Sequence, residues 1–138
     1  MDKIEEMLSS GGAVVLPTET VYGLFCKALD EQAVSHVYDL KGRPREKASN
    51  LNVSSLEEIY QFSKHQPQYL KKLYQAFLPG PLTIILQANE QVPIWVNSGM
   101  KTIGFRVPSH PKTLDLIRKF GPLIGPSANL SGKSSGVN

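Results

Sequence analysis

Apolar residues recur along this chain in two periods, one helical and one alternating, and the two take turns from one end to the other. Ile4, Met7 and Leu8 keep helical spacing behind Asp2, a residue suited to cap a helix, and Gly11-Gly12 predicts the stop. The longest apolar run, Ala13 to Pro17, reads as a buried strand, and Val21 to Cys26 as a second extended piece. Asp30 then caps a helix whose Ala33, Val34, Val37 and Tyr38 share a face, with Gly42 at its end. A short strand is expected over Asn50 to Val53. Ser54 and Glu57 have capping-box spacing ahead of Leu56, Ile59 and Tyr60. Leu70, Leu73, Tyr74 and Phe77 predict a further helix, stopped by Pro79-Gly80-Pro81. Leu82 to Leu86 reads as a buried strand, and Thr102 to Val107 as a more cleanly alternating one. Pro111 suits a first helical turn, followed by Leu114, Ile117 and Phe120 and ended by Gly121. Beyond Leu123-Ile124 the residues are nearly all turn formers.

Interleaved strands and helices predict the α/β class: a single domain with one mixed sheet, without internal repeats or a linker. A domain seldom finishes on a loop of small residues, so the tail is expected either to be disordered or to mark a chain that stops before its last elements. With 138 residues, 41% hydrophobic and 20% charged, the composition is globular and excludes disordered and collagen-like chains. No apolar run approaches the ~20 residues of a membrane-spanning helix, and the opening Asp2, Glu5 and Glu6 are unlike a signal peptide. A lone cysteine forms no internal disulfide, which points to a reducing cytoplasm. The net charge of +3 permits anionic partners without demanding them.

Chemistry-bearing residues cluster in four segments. Lys41-Gly42-Arg43-Pro44-Arg45-Glu46-Lys47 is either a solvated basic loop or, if extended, a row of cations on one side, suited to phosphate oxygens. Pro17 to Leu24 puts Thr18, Glu19 and Thr20 directly after a strand, where α/β sheets hold ligands, though a plain polar turn has the same composition. In Thr102 to Val107, alternation sends Thr102, Gly104 and Arg106 to one face: a hydroxyl, a gap and a guanidinium spread over about 13 Å. That face could hold a small carboxylate or simply meet water. Gly125 to Gly132 offers small residues past which a ligand can reach backbone amides, with Ser127 and Asn129 as side-chain donors.

His36, His65 and His110 lack metal-site spacing, Cys26 has no second cysteine, and no nucleophile elbow or paired-acid motif is present. No protein-bound metal is therefore expected. What remains is a set of cations, hydroxyls and amides, fit for positioning and charge stabilisation on a phosphoanhydride.

Taken in order, Pro17 to Leu24, Lys41-Gly-Arg-Pro-Arg45, Pro79-Gly-Pro-Leu-Thr83, Arg106-Val-Pro108 and Ser127-Ala-Asn-Leu-Ser-Gly132 resemble the YrdC-like threonylcarbamoyl-AMP synthase family, from about Ala13 to Gly132. The resemblance implies a twisted mixed sheet with helices packed on it and a concave basic cavity. It further implies that L-threonine, bicarbonate or carbon dioxide, and ATP give threonylcarbamoyl-AMP and pyrophosphate, with Mg²⁺ carried by the ATP phosphates. The product would pass to a downstream tRNA threonylcarbamoyl transferase complex.

By position, Thr20, Thr102 and Arg106 match threonine-side contacts, Arg43, Lys47, Ser127 and Asn129 match ATP contacts, and Lys41, Arg43 and Lys47 form the catalytic basic wall. The chain departs from the family pattern at Asn52, where some members carry a histidine, and at Ser135-Gly136-Val137, where Ser-Pro-Thr is common. It also lacks the family's further C-terminal elements, so a truncated domain with a weakened nucleotide site is expected. The competing expectation is a non-enzymatic module of the same fold that contacts tRNA or double-stranded RNA through its basic cavity.

Overall fold

A computed structural model describes residues 2–17, 22–41 and 50–125. Asp2 caps α1 (Lys3–Ser9) in a reciprocal box: its carboxylate accepts the Glu5 N–H at 2.9 Å, and the Glu5 side chain accepts the Asp2 N–H. Leu8 is the buried residue of this helix, while Met7 stays exposed. The chain continues through β1 (Val14–Pro17), β2 (Tyr22–Lys27) and α2 (Glu31–Lys41). Asp30 caps α2 as its position predicts, accepting the Ala33 N–H. Next come β3 (Leu51–Asn52), α3 (Leu56–Phe62), β4 (Ser63–Lys64), α4 (Leu70–Phe77), β5 (Gly80–Ala88), α5 (Ile94–Asn97), β6 (Thr102–Val107), α6 (Pro111–Phe120) and β7 (Leu123–Ile124).

The strands form one mixed sheet in the order β1-β2-β7-β3-β6-β5-β4. Among the described strands only β3 and β6 run parallel; the other pairs are antiparallel. One face carries the larger core, in which Cys26, Leu51, Ile84, Ile103, Phe105, Val107 and Ile124 are covered by residues of α2, α3, α4 and α5. The other face is covered over β1, β2 and β7, where Val14, Leu16, Phe25 and Leu123 meet Leu8 of α1 and Leu116 and Ile117 of α6. Ion pairs from Asp2 to Lys112 and from Glu5 to Lys119 tie α1 to α6.

Several details differ from the sequence reading. The cap of α3 is Ser55, which accepts the Glu58 N–H, while Glu58 reaches back to the Ser54 N–H and hydroxyl. The box is thus displaced by one residue from Ser54 and Glu57. Tyr60 and Phe77 are exposed, and α6 buries Thr113, Leu116 and Ile117. Leu82 to Leu86 does not read as a fully buried strand, because β5 is longer and Ile85 is 67% exposed. Its side chain lies on the face that no described helix covers.

Candidate functional site

Cross-strand partners share a face of the sheet, so the register shows which residues line its uncovered half. Asn52 pairs with Arg106, Ile85 with Gly104 and Gln87 with Thr102. Alternation adds Asn50 on β3's side and Thr83 on β5. The open surface is therefore a grid three strands wide. Asn50 and Asn52 form one row, Thr102, Gly104 and Arg106 the middle row, and Thr83, Ile85 and Gln87 the third.

The alternation expected for β6 holds: Ile103, Phe105 and Val107 are buried, Thr102 is exposed, and Gly104 and Arg106 are half-buried. Thr102 and Arg106 thus share the open face with a depression between them. Gly104 makes that depression. A Cβ there would clash with Asn50 Oδ1 and lie 3.1 Å from Thr83 Cγ2, so the two side chains lean over a floor of bare backbone. A cavity of about 170 Å³ extends from this point, bounded by Asn50, Ile85, Asn97, Met100, Thr102 and Gly104.

Asn97, which no motif or spacing singles out, sets the entry to β6. It is buried, and its amide donates to the carbonyls of Met100 and Thr102, both at 2.9 Å, while its oxygen accepts the Gly99 N–H. These bonds fix the turn through left-handed Ser98 and Gly99 that delivers Thr102 to the site. Asn52 is likewise buried, and its amide donates across the strand seam to the Leu123 carbonyl at 3.3 Å. It therefore serves the β3–β7 junction from within the sheet.

Thr20, Arg43, Lys47, Ser127 and Asn129 lie outside the described residues, and Lys41 is the last residue of α2. Four described residues next to the undescribed ones, Pro17, Tyr22, Asn50 and Gly125, lie at one end of the sheet. Pro17 ends β1 opposite Tyr22 of β2. Gly125 passes so close over β2 that a Cβ would collide with the Leu24 carbonyl, which explains a glycine two residues before Ser127. Continuing the β3–β7 register places Asn50 opposite Gly125, and the β3–β6 register places it beside Gly104. The Pro17 carbonyl is also held by the buried Thr113 hydroxyl at 2.8 Å, which anchors the end of β1.

Burial pushes the Cys26 thiol up to about 12, with Asp30 adding to the effect, so it is neutral at ordinary pH and packs as a small apolar residue. Among the described residues no three His, Cys, Asp or Glu side chains gather in a way that could hold a metal. No described helix is long and apolar enough to cross a membrane. Among the described residues the open face offers hydroxyls, carboxamides and the Arg106 guanidinium around a shallow floor, groups suited to hydrogen-bonding a small polar molecule.

Comparison with known proteins gives a consistent result. Residues 6–138 match the Sua5/YciO/YrdC family, described as telomere recombination. The chain is 40% identical over 129 residues to a threonylcarbamoyl-AMP synthase of Pyrococcus abyssi, covering 93% of this chain and 38% of the relative. It is 38% identical over 131 residues to the threonylcarbamoyl-AMP synthase of Bacillus subtilis, again covering 38% of that protein. The crystal structure of P. abyssi Sua5 complexed with L-threonine superposes with a TM-score of 0.88 at 39% identity, over 94% of this chain and 38% of that one. The chain thus spans less than half the length of these relatives.

Proposed function

The chain belongs to the Sua5/YciO/YrdC family, and from that premise we propose that it is the domain that converts L-threonine, bicarbonate or carbon dioxide, and ATP into threonylcarbamoyl-AMP and pyrophosphate. The observation that carries this reading is the open polar grid on β3, β6 and β5, with Thr102 and Arg106 on either side of the Gly104 depression. A guanidinium in such a place suits a substrate carboxylate, and the Thr102 hydroxyl suits a second polar group. A relative of the same fold is known in complex with L-threonine. Thr20 completes the threonine side of the proposed site.

The chemistry needs no protein nucleophile. The threonine amine adds to carbon dioxide, forming a C–N bond and releasing a proton, and the resulting carbamate oxygen attacks the α-phosphorus of ATP. The bond from that phosphorus to the bridging oxygen breaks, and pyrophosphate leaves with the Mg²⁺ that the nucleotide brought. Lys41, Arg43 and Lys47 offset the charge that builds on the phosphates, and Ser127 and Asn129 hold the adenylate. The threonylcarbamoyl group then serves tRNA modification through a transferase.

Calorimetric titration with L-threonine and L-valine tests the amino-acid half of this reading. Valine replaces the hydroxyl by a methyl group and leaves buried polar partners unpaired, so its affinity is expected to be about ten- to a hundredfold weaker. Equal affinities would refute a threonine site. A chain that binds neither amino acid but holds double-stranded RNA with a steep loss in salt would favour the RNA-binding module instead.

A further inference from the structure

The amino acid at position 50 is chemically odd for its place. It precedes the two-residue β3 and points to the same face as Gly104, beside which the register sets it. Its side-chain oxygen overhangs Gly104 so closely that even a methyl group there would displace it. Asn50 is half-buried, and its carboxamide has no hydrogen-bond partner among the described residues, although its own backbone carbonyl lies 3.5 Å from the Asn52 amide. Across the floor, Thr83 turns its methyl group toward the same point. The pocket that opens here is about 170 Å³, enough for a short side chain and too small for an aromatic one. Ile85 and Met100 give it apolar walls, Thr102 adds a hydroxyl, and the Asn97 amide is already committed to the Met100 and Thr102 carbonyls.

Asn50 therefore presents a carboxamide to a small space that Ile85 and Met100 border with apolar side chains. A side chain bearing both a hydroxyl and a methyl group on its β-carbon satisfies both walls at once. We propose that Asn50 is a specificity-determining residue of the site, its carboxamide hydrogen-bonding the β-hydroxyl of the amino-acid substrate above the Gly104 floor. The proposal rests on the reading that the site binds threonine, and adds to it the residue that distinguishes threonine from its isostere. The carboxamide is suited to this task because it both donates and accepts, matching either orientation of the hydroxyl.

The test is a calorimetric series on wild type, Asn50→Leu and Gly104→Ala, each titrated with L-threonine and with L-valine. Leucine has nearly the shape of asparagine and removes only its polarity. Asn50→Leu is expected to bind threonine about tenfold more weakly while holding valine as well as wild type or better, so the preference collapses. Gly104→Ala pushes the same carboxamide off its position from below and is expected to narrow the preference in the same direction. Thermal unfolding of each variant establishes that the comparison is between folded proteins, and if Asn50→Leu does not fold, Gly104→Ala decides. A threonine preference that survives in the folded variants overturns the role of Asn50 and leaves the threonine site standing. Failure of the wild type to bind threonine overturns the site itself.

Discussion

Phe105→Ala is expected to lower the free energy of unfolding by about 3–5 kcal/mol, a large part of the roughly 5–15 kcal/mol that holds a domain folded. The ring is fully buried at the centre of the larger core, on the strand that joins β3 to β5, with Leu51 and Ile84 as its cross-strand partners. Truncation removes its packing and leaves a cavity that strands locked on both sides cannot close. Urea denaturation followed by circular dichroism would show the midpoint falling with little change in slope. A loss below about 1 kcal/mol would mean that the core is not organised around β6. Gly104, the very next residue toward the amino terminus, should behave in the opposite way. A change there acts on ligand binding, because its missing side chain faces the open surface.

Arg43→Ala is expected to slow pyrophosphate release about 10- to 150-fold while leaving threonine affinity near the wild-type value. A charge-assisted hydrogen bond contributes about 1.5–3 kcal/mol, and each 1.36 kcal/mol is a factor of ten in rate. The separation of the two effects follows from the layout. Threonine is assigned to the β6 face, and the phosphates to the basic run that enters β3 just before Asn50. A pyrophosphate-release assay and a threonine titration on the same preparation measure both quantities. Unchanged pyrophosphate release would return the Lys41–Lys47 run to a solvated surface loop.

What could be read from the chain in advance was whatever depends on short range. Periodicity located α2, α4 and α6 because each carries enough turns for an apolar stripe to stand out, and the alternation of Thr102 to Val107 gave the two faces of β6. Two-residue β4 and four-residue α5 were not foreseen, since neither is long enough to show a period. The α3 cap was misplaced by one residue because adjacent serines and adjacent glutamates offer two boxes, and only the fold selects Ser55 with Glu58. Ile85 was assigned to the core on its apolarity, although the helices cover only the other face of β5.

The site itself was half legible. Thr102, the Gly104 gap and Arg106 lie on one strand, so their shared face followed from alternation alone. Asn50 and Thr83 come from other strands, and no spacing along the chain shows that they converge on Gly104. Asn97 acts through three backbone contacts in a turn, which an isolated asparagine in a sequence does not announce.

The place of β7 in the sheet has a consequence for how the protein is made. It is the last described strand in the chain, yet it lies between β2 and β3, two of the earliest. The Pro122 carbonyl accepts the Ala28 N–H, and the Leu123 carbonyl accepts the Asn52 amide, so both early strands wait for a late partner. A chain emerging from the ribosome cannot close this seam until residue 124 has left the exit tunnel, however quickly the β1–β2 pair forms. Until then the nascent polypeptide carries β2 and β3 with bare edges, and in that interval it is a substrate for whatever shields unpaired strands in the cell.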